Sequence, residues 1–240
     1  MNENDTVVVI GGSSGLGLAV ARRCLADGAR VVIAGRSPQR LDAASKELGY
    51  PARLTAVPAD IADRAQLTQV FDHAGKLAHL VVTAADLPYG AAVTLTEDSV
   101  MRALRSKILG PLFAAQLAAP HMTGPGSITF TSGIAAYRPA PGGMLAATVN
   151  GALESMVRAL ALELGPVRVN AVSPGWVDTP VWNQLASPEV KQARLADLAA
   201  RLPGRRIGQP EDIAHAVSFL ISDSLVTGTV LHAEGAQLLV

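Results

Sequence analysis

The sequence predicts an α/β fold: a doubly wound sandwich with a seven-stranded parallel sheet between layers of helices. Three observations predict it. Short β-branched runs alternate with longer helical tracts along the chain, a rhythm of βαβ units rather than of hairpins. Apolar residues make up 49% of the composition and charged residues 17%, which suits a sheet buried on both faces. A glycine-rich turn follows the first β-branched run and opens a helical pattern. At 240 residues the chain is long for one domain, but folds of this class reach that length around a single core, so residues 1–240 are expected to form one domain.

The expected strands, in order, are residues 7–10, 30–34, 53–57, 80–84, 127–131, 167–172 and 229–233. Helix starts are marked by Ser37-Pro38, Ser187-Pro188-Glu189 and Pro210-Glu211-Asp212. There a side-chain acceptor or an acidic first turn satisfies free amides, and proline suits the first helical position. Two tracts rich in Ala and Leu, 97–121 and 145–164, are expected as long helices that cover the sheet and also meet another subunit, giving a homodimer or homotetramer. Residues 173–188 and 199–208 are rich in loop formers and predict a lid over a site, around 175–208.

Composition also narrows the function. Twenty basic residues balance twenty acidic ones, so no net field gathers nucleic acid or anionic lipid, and neither is expected as a partner. A polar, acidic segment 1–6 and the lack of about 18 consecutive uncharged apolar residues predict a cytoplasmic chain. The lone cysteine, Cys24, lies in an expected helix as packing and fits a reducing compartment. His73, His79, His121, His215 and His232 show no ligand-like spacing, so no metal site is expected. Neither a Gly-x-Ser-x-Gly elbow nor a carboxylate pair points to hydrolysis.

The turn reads Gly11-Gly12-Ser13-Ser14-Gly15-Leu16-Gly17. Strand, glycines and helix in this order let the backbone turn sharply and bring helix amides and dipole against a pyrophosphate, the Rossmann arrangement for a dinucleotide. The second strand ends Ile33-Ala34-Gly35-Arg36-Ser37, with no carboxylate to hold a ribose diol. Arg36 can instead pair with a 2′-phosphate and Ser13 can donate a hydroxyl, which favours NADP(H).

These residues resemble the short-chain dehydrogenase/reductase family over nearly the whole chain. The glycine spacing looks like the family's motif, with Ile10 where a threonine is usual. Asp60 matches the aspartate set against adenine, with Ile61 beside it, and Pro174-Gly175-Trp176-Val177-Asp178-Thr179 resembles the segment whose threonine meets the nicotinamide carboxamide. Arg168-Val169-Asn170 and Gly208-Gln209-Pro210-Glu211-Asp212-Ile213 also follow the family in order and spacing. The resemblance implies a cofactor frame of Gly11, Ser13, Ser14, Gly15, Leu16, Gly17, Arg36, Asp60, Ile61, Ala84, Asn150, Pro174, Gly175 and Thr179.

Departures fall at the chemistry. The family uses a serine after the fifth strand, a tyrosine about thirteen residues later and a lysine one helical turn beyond: hydroxyl to polarise a carbonyl, phenol to exchange the proton, ammonium to lower the phenol's pKa. Here Gly133, Ala146 and Asn150 take those places. The segment 82–86 replaces two asparagines, alanine and glycine by Val82-Thr83-Ala84-Ala85, followed by Asp86. Lys107 or Ile108 stands where the family has its active-site asparagine. Candidate substitutes for the chemistry are Ser132, Lys107 and Tyr137, with Asn150 toward the ribose, while Tyr89, Trp176 and Trp182 are expected as pocket walls. The reading is an oxidoreductase moving hydride to or from a small, apolar or polyketide-like carbonyl or alcohol with non-standard acid/base residues. The alternatives are a catalytically inactive NADP(H)-binding sensor or partner subunit and, more weakly, a non-redox isomerase or lyase using Asp86 or Lys107.

Overall fold

A computed structural model describes residues 3, 5–180 and 187–240. Seven strands pair in parallel: β1 (Thr6–Ile10), β2 (Arg30–Gly35), β3 (Leu54–Pro58), β4 (Leu77–Val82), β5 (Met122–Thr131), β6 (Arg168–Pro174) and β7 (Val230–Ala233). Their spatial order is β3-β2-β1-β4-β5-β6-β7, so the winding reverses between β1 and β4. A crevice opens at the carboxyl ends of the strands at such a reversal.

Alternation along each strand divides the core in two, because successive side chains point to opposite faces. Val8 and Ile10 join Phe71, Ala115, Phe130 and Leu153 under α3 (Arg64–Ala74), α5 (Gly110–Ala118) and α6 (Met144–Glu163). Val7 and Val9 join Leu18, Ile33, Leu41 and Leu220 under α1 (Gly15–Ala26), α2 (Pro38–Glu47) and α8 (Pro210–Ser222). Both faces are thus covered, as the apolar composition requires. Cys24 is buried on α1, and that burial pushes its thiol up to about 12.

The three proline-marked helix starts lie where expected. Ser37 accepts from the Arg40 amide at 3.2 Å and Ser187 from the Val190 amide at 3.5 Å, opening α2 and α7 (Pro188–Arg201). Asp212 reaches back to the Gln209 amide at 2.8 Å to open α8. β4 begins and ends earlier than the expected 80–84, because residues 83 and 84 leave the sheet to close on the glycine turn, their amides donating to the Ile10 carbonyl at 2.8 and 3.1 Å. β5 begins at Met122, ahead of the expected 127.

The expected single helix over 97–121 is instead α4 (Glu97–Leu104), a π-helical turn Arg105–Leu109, α5 and a short 3-10 turn Ala119–His121. An extra residue in a π turn changes which side chains face inward, and such turns gather at functional sites. Here it buries Ser106 and Lys107 together. Between residues 175 and 208, Val177 forms a bridge to Gly208, while Leu195 and Leu198 of α7 pack with Trp176 and Ile207. Among the described residues no helix is long and apolar enough to cross a membrane.

Candidate active site

The first strand turn is closed by packing. A Cβ on Gly11, whose φ is +95°, would stand 2.5 Å from Thr83 Oγ1, and one on Gly17 would stand 2.2 Å from the Gly11 carbonyl oxygen. No side chain fits at either position, which brings α1 tightly onto the end of β4. Gly15 differs: at φ +52° its Cβ would meet nothing nearer than Pro180 at 3.5 Å, with Thr179 at 3.7 Å. Its bareness leaves an opening, and Thr179 stands over it. Ser14 precedes α1 without capping it by its side chain, so the first-turn amides of Gly15, Leu16 and Gly17 are open to an anion at the positive end of the helix.

The rest of the expected frame is distributed around this turn. The Ser13 hydroxyl lies 3.0 Å from where a Cβ on Gly35 would be. Asp60 follows β3, its Oδ1 accepting from the Ala62 amide at 2.9 Å, with Ile61 buried beside it. Pro174 ends β6, and the Gly175 amide donates to the Ala233 carbonyl at 3.2 Å. Arg36 is exposed at the end of β2, yet it is not unopposed: its Nη1 lies 3.4 Å from Asp86 Oδ2. Arg102 of α4 grips the same carboxylate with Nη2 at 2.7 Å from Oδ1 and Nε at 3.3 Å from Oδ2. The reading of Arg36 from β2 alone lacked this carboxylate, which comes from the segment after β4.

A second cluster joins two of the candidate substitutes on one residue and brings a third close by. Glu154 of α6 is 5% exposed; Ser132, directly after β5, donates to its Oε1 at 2.6 Å, and the Tyr137 hydroxyl donates to its Oε2 at 2.5 Å. Lys107 is 4% exposed and donates from Nζ to the carbonyl of Thr131, the residue before Ser132. Desolvation lowers the Lys107 ammonium to about 8, opposed by the negative charge of Glu154. Burial, then the hydrogen bond and charge of Glu154, raise the Tyr137 phenol to about 12, with Arg158 pulling the other way. The Tyr137 ring packs edge-on to His232, their centroids 4.7 Å apart.

Glu154 was not among the sequence candidates, although a signal existed. Ala146, Asn150 and Glu154 recur at one-turn spacing along a single stripe of α6, and all three are buried. The ionisable group absent from the first two positions stands at the third. Asn150 itself makes one long contact, Nδ2 to the Gly133 carbonyl at 3.5 Å, and leaves Oδ1 buried without a partner. A Cβ on Gly133 would come 2.9 Å from that Nδ2, so the glycine makes room for the asparagine.

Ile108 packs against both the main core and a smaller cluster with Ala103, Leu145 and Val149, which leaves the inward polar place to Lys107. Tyr89 is exposed, and Trp176 lies under the Arg201 guanidinium at 5.3 Å as part of the α7 cluster. Trp182 lies outside the described residues. No group of three His, Cys, Asp or Glu side chains suited to a metal occurs among the described residues.

A parallel sheet wound in this order, with a glycine cradle at its first β-to-α turn, defines a Rossmann-type protein. The sequence profile described as Enoyl-(Acyl carrier protein) reductase matches residues 11–235. "Short-chain dehydrogenase/reductase malC" of Malbranchea aurantiaca is 36% identical over 97% of this chain and 94% of its own. Its solved structure, titled "Structure of MalC Reductase/Diels-Alderase", superposes with a TM-score of 0.90 over 97% of this chain and 95% of that one, at 31% identity. "Granaticin polyketide synthase putative ketoacyl reductase 2" of Streptomyces violaceoruber is 33% identical over 97% of each chain. A small-chain dehydrogenase solved "in complex with NADPH" gives a TM-score of 0.85 at 30% identity, covering 99% of this chain and 100% of that one. The chain belongs to the short-chain dehydrogenase/reductase family.

Proposed function

We propose that this chain is an NADP(H)-dependent reductase of a small, apolar carbonyl compound, in which Tyr137, Ser132, Glu154 and Lys107 replace the family's usual proton machinery. The observation that carries it is Glu154: one buried carboxylate holds a phenol and a hydroxyl, and a buried ammonium enters the same cluster through the carbonyl next to that hydroxyl.

The residues present fit the cofactor. Gly11, Ser13, Ser14, Gly15, Leu16 and Gly17 would hold the pyrophosphate, Arg36, Asp60, Ile61 and Ala84 the adenosine, and Pro174, Gly175 and Thr179 the nicotinamide end. Asn150 Oδ1, a buried acceptor without a donor, suits a hydroxyl of the nicotinamide ribose. Of the expected lid over 175–208, residues 181–186 lie outside the described residues, and the lid role is proposed for the remainder. When bound, the nicotinamide supplies the hydride.

The Tyr137 phenol, raised to about 12, is protonated at neutral pH and is therefore available as a proton donor to a developing alkoxide. To deliver its proton, the Tyr137 hydroxyl turns from Glu154 toward the substrate oxygen. The buried Lys107 cation, about nine-tenths charged at pH 7 with a pKa near 8, offsets the charge this leaves on the cluster. General acid help is worth roughly 10² to 10⁴-fold, while positioning of hydride and carbonyl carries the remainder. The chain is proposed to work in the cytoplasm as a homodimer or homotetramer, with exposed Leu109, Leu162 and Leu225 as apolar contact points.

The test is NADPH binding by fluorescence followed by nicotinamide absorbance against a panel of ketones, quinones and aldehydes. Turnover is expected, and Glu154→Gln should lower kcat by about tenfold or more with NADPH affinity within twofold of wild type. NADPH binding without turnover on any member of the panel overturns the reductase reading and leaves a cofactor-binding sensor or partner subunit.

A further inference from the structure

Two arginines from different elements converge on one carboxylate at the adenosine end of the crevice. Arg36 follows β2, Arg102 lies on α4, and Asp86 comes from the segment after β4. Arg102 grips Asp86 through a two-point fork, Nη2 to Oδ1 at 2.7 Å and Nε to Oδ2 at 3.3 Å, while Arg36 Nη1 reaches Oδ2 as well, at 3.4 Å. All three side chains are at the surface, with 62% of Arg36, 48% of Arg102 and 25% of Asp86 exposed. The cluster therefore carries one net positive charge and is open to a ligand.

The backbone of Asp86 is tied down, so its carboxylate can leave the arginines only by turning about its own side-chain bonds. Its amide donates to Ser106 Oγ at 3.0 Å, and that hydroxyl donates to the Asp86 carbonyl at 3.1 Å, with Ser106 buried in the π-helical turn. Rotation about the Asp86 side-chain bonds is thus enough to release both guanidinium groups without moving the loop.

A phosphate monoester carries about −1.5 to −2 charge at neutral pH and three acceptor oxygens, against the single charge and two oxygens of a carboxylate. Guanidinium forks match either anion, and the one with more charge and more acceptors wins when both are presented to two arginines.

We propose that Arg102 reads the 2′-phosphate of NADP(H) together with Arg36, and that Asp86 is the internal competitor this phosphate displaces. The inference rests on the reading of Arg36 as a 2′-phosphate ligand and deepens it: specificity for the phosphorylated cofactor is set by three residues on three elements. Asp86 lowers affinity for NADPH by occupying the arginines, and it disfavours loose binding of other small anions there. NADH has no 2′-phosphate with which to engage either arginine, so its affinity is independent of Arg102.

The experiment measures equilibrium binding of NADPH, NADH and adenosine 2′-monophosphate to the full chain and to Arg36→Gln, Arg102→Gln, Asp86→Asn and the Asp86→Asn/Arg102→Gln pair. Arg102→Gln should weaken NADPH and adenosine 2′-monophosphate by about tenfold and leave NADH within twofold, since an exposed charge-assisted contact is worth about one decade. Asp86→Asn should tighten NADPH severalfold. In the pair, the loss due to Arg102 must persist, which separates direct contact with phosphate from mere support of Asp86. If the wild type binds NADPH and NADH equally, the reading of Arg36 falls and the proposal with it. If the wild type prefers NADPH and Arg36→Gln removes that preference, while Arg102→Gln leaves NADPH affinity unchanged, Arg36 stands and the proposal is overturned. An Asp86→Asn variant that binds NADPH no more tightly than wild type overturns the role of competitor.

Discussion

Replacing Lys107 by methionine isolates the energetic cost of a buried cation at the candidate site. Lys107 is 4% exposed and its pKa falls from the ordinary 10.5 to about 8 in the folded chain, so the unfolded chain binds its proton more tightly. Because the folded-state pKa is depressed, stability rises with pH between about 8 and 10.5 and is lower below that window. The displacement of 2.5 units, 10.5 minus 8, corresponds to about 3 kcal/mol at roughly 1.4 kcal/mol per unit. Methionine fills similar volume and does not titrate. Urea unfolding of wild type and Lys107→Met at pH 7 and pH 10.5 should therefore give a stability difference, variant minus wild type, that drops by about 3 kcal/mol over the interval. Groups remote from this cluster cancel in the difference. A difference that stays constant with pH would mean that Lys107 is solvated in the folded chain, and the buried cluster with Glu154 would have to be abandoned. The same lysine predicts that reduction slows in wild type as pH rises through about 8, and that Lys107→Met is slower at pH 7 and shows no such limb.

Gly17→Ala should lower the melting temperature sharply and abolish NADPH binding, because its Cβ would lie 2.2 Å from the Gly11 carbonyl oxygen and 2.6 Å from Thr83 Oγ1. Gly15→Ala should cost only about 1 to 2 kcal/mol, for its φ of +52°, and chiefly reduce cofactor affinity; calorimetry paired with NADPH titration distinguishes the two. His79 is buried against Ser127, at 2.9 Å, and burial holds its imidazole down to about 4. Its folded pKa lies below the unfolded 6.5, so its contribution is present above 6.5 and lost as pH falls toward 4, by up to about 3 kcal/mol. Urea midpoints at pH 7.5 and 4.5 should fall further for wild type than for His79→Gln; parallel falls would place the acid sensitivity elsewhere.

The strands and the cofactor turn were legible because they depend on local chemistry. Alternation in Val7-Val8-Val9-Ile10 assigns each residue to one of two helix layers, and the layers are there. Glycines 11 and 17 advertise a backbone that tolerates no side chain, and the close approach of Thr83 gives the reason. The sequence was less informative where the outcome depends on contacts between distant segments. The π-helical turn at Arg105–Leu109 leaves no compositional mark, and without it the choice between Lys107 and Ile108 stays open. The Arg36–Asp86 contact joins the ends of β2 and β4, fifty residues apart, so reading either end alone missed the opposing charge. Glu154 escaped notice because it lies beyond the positions at which the family resemblance directs attention, although it shares their stripe on α6.

The glycine turn and the cluster around Glu154 are constrained in different ways. The turn is made of backbone: a side chain at Gly11 collides with Thr83 and the Ala84 main chain after β4, and one at Gly17 with the Gly11 carbonyl of the same turn. Proton handling is made of side-chain ends, and several residues around β5 and α6 can bring a hydroxyl, a carboxylate or an ammonium to the same volume. Placing Asn150 against Gly133, with 2.9 Å between its Nδ2 and a hypothetical Cβ, leaves no room for a serine while the asparagine stays. The hydroxyl then comes from Ser132, one residue earlier, and its partner carboxylate from Glu154, one turn later on the helix. A buried carboxylate at that point is offset by a nearby cation, and the π turn brings Lys107 onto the Thr131 carbonyl beside Ser132. These changes depend on one another: Glu154 without Lys107 is an uncompensated buried charge, and Tyr137 without Glu154 has no inward acceptor. The altered site is therefore a coupled set rather than a list of lost residues, and single substitutions within it should show interaction energies well outside additivity.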